Sequence, residues 1–555
     1  MIAKLFFTLL AVGLAAEVLA KVRFEKILSF LLLCFLALWG VWIFEAESLG
    51  LVDKFSFHWI DASLMLVNIN LNTTPDICRL VFALLVISTL SVFYNTFYKA
   101  ETEKLRVNGL LTLNLAMLVS IICSQNFMQL LTAVCITDVI CLLMINDIES
   151  KRRYAFYNLL ADMGLFTLFA LIWKQTGSID LSVLEKYHRP GQYPELTSGL
   201  LLLCVFIKSG IVLCHGGFLS LASLTFNRIL AISYCSAPIV GILLLVKTYP
   251  LLENIRYMKE IFLSFGGATL LWGCVGSIVL DNIKDKALYF NQMIYAFLLG
   301  ALAFGAKDVD ALLPLVLSLG FVLNAVWMLT AISTSNELFI SNMGGFIRPL
   351  KLLFVSIMLW SLIFVEVLSS RATMLNGVWT YGFAAILLVA LAHISFQIFL
   401  GKSNADERVL AFLKNPPLLN LLPLWIICGI IIWQIGKPST QIWIIWGAFV
   451  AFCFAGPLRP LGKVYDSENL QEADWLHDFY QTVLVAPIKI LGRVLWLLID
   501  FLIIERTIVS SLTSGSNLLV RVLDRMHTGS AFSNAGYVAL GLGLFAAIIY
   551  AKVYN

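Results

Sequence analysis

The chain has 555 residues, of which 60% are hydrophobic and 13% are charged, with a formal net charge of +4 and a mean hydropathy of +0.90. A soluble protein carries charge on about 25% of its residues, so this composition excludes a soluble globular protein and predicts that most of the chain lies in lipid. The net charge is too small and too dispersed to indicate a nucleic-acid partner.

Apolar runs predict an all-α polytopic membrane protein. Because about 20 apolar residues cross a bilayer as a helix, we count roughly sixteen candidate spans and predict a single bundle of roughly 14–16 transmembrane helices. The first run could pass for a cleaved signal sequence, but the further runs after it favour a retained first span. The predicted spans are 5–20, 27–44, 77–97, 108–123, 127–146, 155–173, 198–215, 228–246, 260–280, 288–305, 311–331, 351–368, 379–400, 418–435, 440–455 and 537–551.

The distribution of charge between the spans predicts their orientation. Loops after odd-numbered spans are basic, as at Lys151, Arg152 and Arg153, whereas the loop after the second span contains Glu45 and Asp53. Basic loops stay in the cytoplasm. The odd-numbered loops are therefore predicted to be cytoplasmic and both termini to lie outside.

A buried lysine marks the candidate site. Lys208 lies inside an apolar run, where a cation is costly and usually faces a protein interior or a hydrated cavity. His215, seven residues later, is predicted to lie on the same helical face, and Gly216 and Gly217 to break the helix behind it. Pro238 interrupts the next apolar run. Ionisable groups beside broken helices are typical of transport sites at bilayer depth.

The segment from Asp474 to Met526 does not follow the pattern of the other spans. Lys489, Arg493 and Asp500 are spaced by four and seven residues, which places them on one helical face. This stripe favours a lateral amphipathic helix that lies along the membrane surface or across neighbouring helices. The alternative is one more span whose charges face the bundle.

No other motif indicates a cofactor or a catalytic site. The chain contains eleven cysteines, and they form no CxxC pair, which is typical of small buried apolar residues and not of metal or redox centres. No phosphate-binding loop, dinucleotide fingerprint or nucleophile elbow is present.

Several short motifs occur in the order known from one family. IKSG at Ile207–Gly210 followed by His215 resembles the seventh-helix motif of the antiporter-like membrane subunits of complex I (NADH:quinone oxidoreductase), and NLLADMG at Asn158–Gly164 resembles their sixth helix. DNIKDKALYFNQ at Asp281–Gln292 is similar to the loop that enters their tenth helix. MGG at Met343–Gly345 is similar to a turn before the twelfth.

The C-terminal part carries the most specific resemblance. The segment from Trp475 to Trp496, with the stretch that follows it, resembles the lateral helix and terminal anchor of subunit L. The resemblance implies four parts: N-terminal helices with an outer loop at 1–75, an antiporter-like core at 76–455, a lateral-helix region at 456–535 and a C-terminal anchor at 536–555.

The chain departs from the family at its ionisable residues. Cys135 stands where the family has the fifth-helix glutamate that partners the seventh-helix lysine, and Asp138 or Asp162 is the candidate replacement for the partner of Lys208. Ser233 and Asn324 stand where the family has a histidine and its central lysine. Neither side chain can carry a proton near neutral pH.

The far end of the family's route is also altered. Arg371 falls in its twelfth-helix motif, and Glu366 either neutralises Arg371 or acts as a terminal proton-release group. The ion-translocation path implied by the resemblance therefore consists of Lys208, Asp138, Asp162, His215, Glu366 and Arg371.

The resemblance implies a subunit-L-like component of a proton-translocating NADH:quinone oxidoreductase in a bacterial inner membrane. This chain would hold no cofactor or metal, and NADH, FMN, iron-sulfur clusters and quinone would bind in partner subunits. Its partners would be the bilayer and the other membrane subunits of complex I, including neighbours contacted by the lateral helix. Two alternatives remain open: a structural or assembly subunit that has lost pumping, and a subunit of a multisubunit cation/proton antiporter.

Overall fold

The computed structural model describes most of the chain up to residue 400. The predicted spans at 418–435, 440–455 and 537–551, the lateral helix within 456–535 and the anchor at 536–555 lie outside the described residues. The described residues are 1–21, 25–62, 65–97, 104–178, 180–181, 194–212, 214–235, 237–249, 252, 257–334, 338–371, 377–400, 421 and 424.

Long apolar helices dominate this part of the chain. Each span predicted before residue 400 overlaps one helix or a pair of helices, which confirms the all-α polytopic membrane fold. Among the described residues, nine helices are long and apolar enough to cross a membrane, and Thr197–Ser209 and Lys351–Phe364 are shorter apolar stretches. The helices are α1 (Ile2–Val18), α2 (Glu25–Ser48), α3 (Pro75–Phe97), α4 (Lys104–Cys123), α5 (Phe127–Met144), α6 (Ile148–Thr176), α7 (Pro194–Ser209), α8 (Gly216–Leu219), α9 (Phe226–Cys235), α10 (Ala237–Thr248), α11 (Met258–Val279), α12 (Ile283–Ala301), α13 (Ala306–Ser333), α14 (Lys351–Arg371) and α15 (Gly377–Ser395), with a π-helical turn at Phe396–Leu400 and 3-10 turns at Leu19–Lys21, Ser220–Ser223 and Ile340–Asn342.

Short polar side chains set where several of these helices begin. Asn126 accepts a hydrogen bond from the Gln129 N–H at 2.6 Å at the start of α5, and Asp147 accepts one from the Ser150 N–H at 2.8 Å at the start of α6. Such caps satisfy backbone donors that a helix leaves free at its first turn. Hydrogen bonds from Ser150 also lower the pKa of the Asp147 carboxyl.

A β-hairpin lies between α2 and α3, in a loop that the sequence analysis treated only as acidic. Strand β1 (Ser56–Ala62) pairs antiparallel with β2 (Met65–Asn70), with a register shift between His58 and Ile60. The hairpin is attached to the bundle at its end, where the backbone of Asn70 exchanges two hydrogen bonds of 2.9 and 3.0 Å with the Gln129 side chain. The hairpin is therefore attached to the start of α5.

Glycines bring α11 and α12 into close contact. A Cβ at Gly266 would lie 3.0 Å from the carbonyl oxygen of Ala296, and one at Gly273 would lie 2.8 Å from the carbonyl oxygen of Tyr289. These glycines are seven residues apart, so they lie on the same face of α11. Small residues allow membrane helices to pack backbone to backbone.

A buried amide network joins α3, α4 and α9. The Asn95 side chain donates to Asn108 Oδ1 at 2.6 Å, and its own Oδ1 accepts from Asn227 Nδ2 at 2.9 Å. Asn108 in turn donates to the hydroxyl of Thr96 at 3.2 Å. The three asparagines are at most 1% exposed, so each depends on the others for its hydrogen bonds.

Candidate functional site: a buried lysine between two carboxylates

Lys208 lies at the C-terminal end of α7, and its side chain is fully buried. The helix ends at Ser209 because Gly210 adopts the left-handed conformation, with φ of +64°. The Ile211 N–H then bonds back to the Phe206 carbonyl at 3.0 Å, and the Gly210 N–H to the Ile207 carbonyl at 3.3 Å. This is a Schellman C-cap. Lys208 is therefore in the last turn of the helix, where the helix dipole favours a cation.

The predicted position of the helix break is wrong. The break occurs at Gly210, before His215, so Lys208 and His215 do not share a helical face as the sequence analysis predicted. Gly216 and Gly217 instead begin the short helix α8 and pack against Tyr157, whose ring leaves no room for a Cβ at either position. Residue 236, between α9 and α10, lies outside the described residues, so the interruption near Pro238 remains a prediction.

Two aspartates from neighbouring helices meet the lysine ammonium. Asp138 on α5 accepts a short hydrogen bond from Lys208 Nζ, and Asp162 on α6 forms an ion pair with Nζ at 2.7 Å. The Asp138 side chain is 5% exposed and that of Asp162 is 13% exposed. The sequence left open which carboxylate faces Lys208, and the structure brings both to it. Cys135 lies one turn before Asp138 on the same face of α5.

His215 is buried on the far side of the helix break. It precedes α8 and lies next to Trp272 of α11, with the two ring centroids 5.8 Å apart. The turn itself is attached to α12, because the Gly210 carbonyl accepts a hydrogen bond of 3.1 Å from Gln292 Nε2. The break therefore joins the lysine helix to the next helices of the core.

Neutral side chains surround Asn324. Its amide donates to the Tyr234 hydroxyl at 2.8 Å and to Asn291 Oδ1 at 2.7 Å, and all three residues are almost fully buried. Ser233 is also buried, and its backbone carbonyl accepts a hydrogen bond from the Tyr295 hydroxyl. Asn324 and Ser233, which stand where the family has a lysine and a histidine, thus each hydrogen-bond to neutral groups.

The far end of the predicted path lies on α14. Glu366 is half-buried there, and Arg371 is the last residue of the helix. The side chain of Arg371 lies outside the described atoms, so the pairing of Glu366 with Arg371 remains a prediction. An offset of five residues places the two positions about 140° apart around an α-helix, which does not favour a contact between them.

Sequence reasoning missed three buried basic residues, of which Arg228 on α9 donates to the Met144 carbonyl at 2.8 Å. Lys286 on α12 and His393 on α15 are each 1% exposed. Lys286 lies within Asp281–Gln292, the segment that resembles the loop entering the family's tenth helix. Three other charged residues in this segment made Lys286 look like part of a solvated loop. A lysine two residues before an apolar helical run is the only signal that indicated its burial.

No protein-family model matches this chain, and no curated protein sequence matches it significantly. Solved structures do. A chain of the membrane-bound sulfane sulfur reductase (MBS), an archaeal respiratory membrane complex, is similar with a TM-score of 0.67 and 14% identity, over 98% of this chain and 99% of that chain. A chain of the Mrp complex from Dietzia sp. DQ12-45-1b has a TM-score of 0.61 and 14% identity, over 99% of this chain and 63% of that chain.

These similarities show the fold. The chain is an all-α polytopic membrane protein that shares its fold with these two chains.

The conformation of Gly210 gives a direct test of the helix break. Gly210→Ala is expected to lower the free energy of unfolding by about 1–2 kcal/mol, because an L-residue is strained at positive φ and its Cβ would lie 2.8 Å from that of Phe218. Gly199→Ala on the same helix is the control, since no atom lies within 4 Å of the added Cβ. Thermal unfolding of the purified protein in detergent measures both. Equal melting of the two variants would contradict the left-handed turn.

Proposed function

We propose that this chain is an ion-translocating membrane subunit of a multisubunit membrane complex and that the ion is the proton. The contact of Lys208 with Asp138 and Asp162 carries this proposal. A buried ion pair at the end of a broken helix is rare in membrane proteins unless it has a function. The fold similarity to chains of the MBS and Mrp complexes supports membership of such an assembly.

The charges of the site provide a mechanism for loading and releasing a proton. Lys208 contributes one positive charge and the two aspartates two negative charges, so the fully ionised site carries a net charge of −1. A net charge is costly in a buried site, and binding of one proton removes it. Any movement that separates the ammonium from one carboxylate changes this balance and releases or takes up a proton.

The helix break is where such a movement can be transmitted. Lys208 is two residues from Gly210, and Gly210 is hydrogen-bonded to Gln292 on α12. A small displacement of α12 therefore acts on the end of α7 and on the distance between the ammonium and its carboxylates. His215 follows the break and is proposed as a proton relay, with Glu366 and Arg371 proposed for the far end of the path.

The particular complex that we propose is a proton-translocating NADH:quinone oxidoreductase, in which this chain acts as a subunit-L-like component in a bacterial inner membrane. The order of the sequence motifs supports this assignment, and the two similar chains also come from multisubunit membrane complexes. Redox chemistry would take place in partner subunits, which would hold NADH, FMN, iron-sulfur clusters and quinone. This chain would couple to that chemistry through its buried charges.

One observation favours a second candidate function. Cys135, Ser233 and Asn324 stand where the family has ionisable groups, and the side chains to which Asn324 donates among the described residues, Tyr234 and Asn291, are neutral. A chain without a continuous proton route could serve as a structural or assembly subunit. A cation/proton antiporter subunit is the third candidate, against which the lateral-helix-like C-terminal sequence counts.

The decisive experiment replaces Lys208 in the intact complex. The complex is purified through a tag on this chain, reconstituted in vesicles and supplied with NADH and quinone, while a pH-sensitive dye and NADH absorbance give the proton-to-electron ratio. Lys208→Met is expected to lower this ratio at unchanged subunit composition, because the site loses its switchable cation. Lys174→Met, which removes an exposed lysine from the last turn of α6, is the matched control.

The same preparation separates the three candidates. An unchanged ratio in Lys208→Met would contradict proton translocation by this chain and support the structural role. Mass spectrometry of the purified complex identifies the partners. Small antiporter subunits without quinone-reductase subunits would contradict membership of an NADH:quinone oxidoreductase.

A further inference from the structure

Lys286 is a second buried ammonium, distant in sequence from Lys208. It lies in the first turn of α12, and its Nζ donates to the carbonyls of Ser277 and Ile278 at 2.8 and 3.1 Å. These carbonyls belong to the last turn of α11, where backbone acceptors lack helical partners. The lysine therefore caps the C-terminal end of α11 from inside the bundle.

Among the described residues, no carboxylate pairs with Lys286 within 4 Å. Asp281 is the acidic group within electrostatic range, but its two oxygens accept hydrogen bonds from the Ser341 N–H at 2.7 Å and the Ser341 hydroxyl at 2.5 Å. The neighbouring Asp285 interacts with Lys284 instead. Lys286 thus differs from Lys208, which has two carboxylates.

His393 is the ionisable group that faces Lys286 from α15. Its imidazole is buried beside the backbone of Ile278 and within electrostatic reach of the Lys286 ammonium. Its ring lies against the Ile278 carbonyl, the same oxygen that accepts a hydrogen bond from Lys286 Nζ at 3.1 Å. The two basic side chains therefore meet at one buried carbonyl oxygen, which brings the imidazole close to the ammonium.

We propose that Lys286 and His393 form a second buried proton-binding site that holds one proton between the two side chains. Two adjacent cations without a bound carboxylate repel each other, so protonation of one side chain opposes protonation of the other. The site alternates between an ammonium beside a neutral imidazole and an imidazolium beside a neutral amine. The carbonyls of Ser277 and Ile278 stabilise the first of these states.

This inference rests on the proposed function in one respect, which is that the bound proton belongs to the translocation path. Lys286 lies on α12, the helix that also provides Gln292 to the break beside Lys208 and Asn291 to the neutral cluster. A change of charge at Lys286 therefore acts on the element that connects to the Lys208 site. The helix α12 is the physical link between the two sites.

The test compares three variants in the reconstituted complex. Lys286→Met removes the ammonium, Lys286→Arg keeps both the positive charge and the donors to the α11 carbonyls but does not release its proton, and His393→Gln removes the imidazole. We expect all three to lower the proton-to-electron ratio at least about twofold. Full activity of Lys286→Arg would overturn the proposal, because it would show that the lysine serves only as a helix cap.

A second measurement is independent of translocation. Hydrogen–deuterium exchange at the imidazole C2 position, followed by mass spectrometry, reports the protonation of His393 in the purified complex as a function of pH. Lys286→Met is expected to displace the pH profile of His393 and to leave that of His215 unchanged. Identical His393 profiles in the variant and the parent would overturn the shared proton. The two proposals can fail separately. An unchanged proton-to-electron ratio in Lys208→Met would contradict the proposed function, whereas the pH profile of His393 tests the shared proton whatever that ratio is.

Discussion

Replacing Asp138 and Asp162 together with asparagine is expected to destabilise the folded chain by about 3–5 kcal/mol, because it leaves the buried Lys208 ammonium without a counter-charge. Both carboxylates contact the same Nζ, and the lysine side chain is fully buried. Loss of only one aspartate leaves the ammonium paired with the other, so each single variant is expected to be much less destabilised. Thermal unfolding in detergent and the yield of monodisperse protein measure the effect.

The triple variant Lys208→Met, Asp138→Asn and Asp162→Asn is the control. Replacement of a whole buried ion pair by neutral groups of similar volume is often close to neutral for stability, so this variant is expected to recover most of the loss without restoring translocation. A double variant as stable as the parent protein would contradict the buried ion pair. If the triple variant is as unstable as the double variant, the loss of stability comes from altered packing and not from an unpaired charge.

The position of Lys208 was predictable from sequence because a single cation in a long apolar run is costly wherever it lies. The identity of its partners was only partly predictable. Asp138 and Asp162 are distant in sequence from Lys208 and lie on different helices, so only the packing of α5, α6 and α7 shows that both reach the ammonium. The sequence alone predicts either Asp138 or Asp162 as the partner of Lys208.

The helix break shows why local geometry was harder to predict. A pair of glycines at Gly216 and Gly217 is a stronger sequence signal than the single Gly210, yet the break occurs at Gly210. The Schellman hydrogen bonds of Ile211 and the contact with Phe218 select that position. These interactions depend on tertiary packing, which hydropathy and glycine spacing do not report.

The hairpin and Lys286 were missed for related reasons. The hairpin segment alternates apolar and polar residues only over Ser56–Trp59 and Val67–Asn70, which is too short to stand out beside the membrane spans. Its attachment to Gln129 is a long-range contact. Lys286 lies next to Asp285 and Lys284 in the sequence, so its charge resembled that of a hydrated loop. Its burial follows from the close packing of α11 against α12, which the sequence did not show.

The amide network of α3, α4 and α9 leads to a second large effect. Asn95→Leu is expected to lower the free energy of unfolding by about 2 kcal/mol or more, because it leaves Asn108 Oδ1 without its donor and Asn227 Nδ2 without its acceptor in a buried site. Each unsatisfied buried group costs about 1–3 kcal/mol. Leucine also cannot reproduce the hydrogen bond of 3.2 Å from Asn95 to the Lys104 carbonyl, which joins the ends of α3 and α4.

Ser91→Ala on the same helix is the matched control. Ser91 is fully buried, and within the described part of the chain its hydroxyl bonds to the Ile87 carbonyl of its own helix at 2.9 Å. This carbonyl is already an acceptor in the backbone ladder. The control is therefore expected to change stability by less than about 1 kcal/mol. Thermal unfolding of the two variants in the same detergent gives the comparison. Equal effects would show that the three asparagines do not depend on one another, and the junction of α3, α4 and α9 would then be held by apolar packing alone.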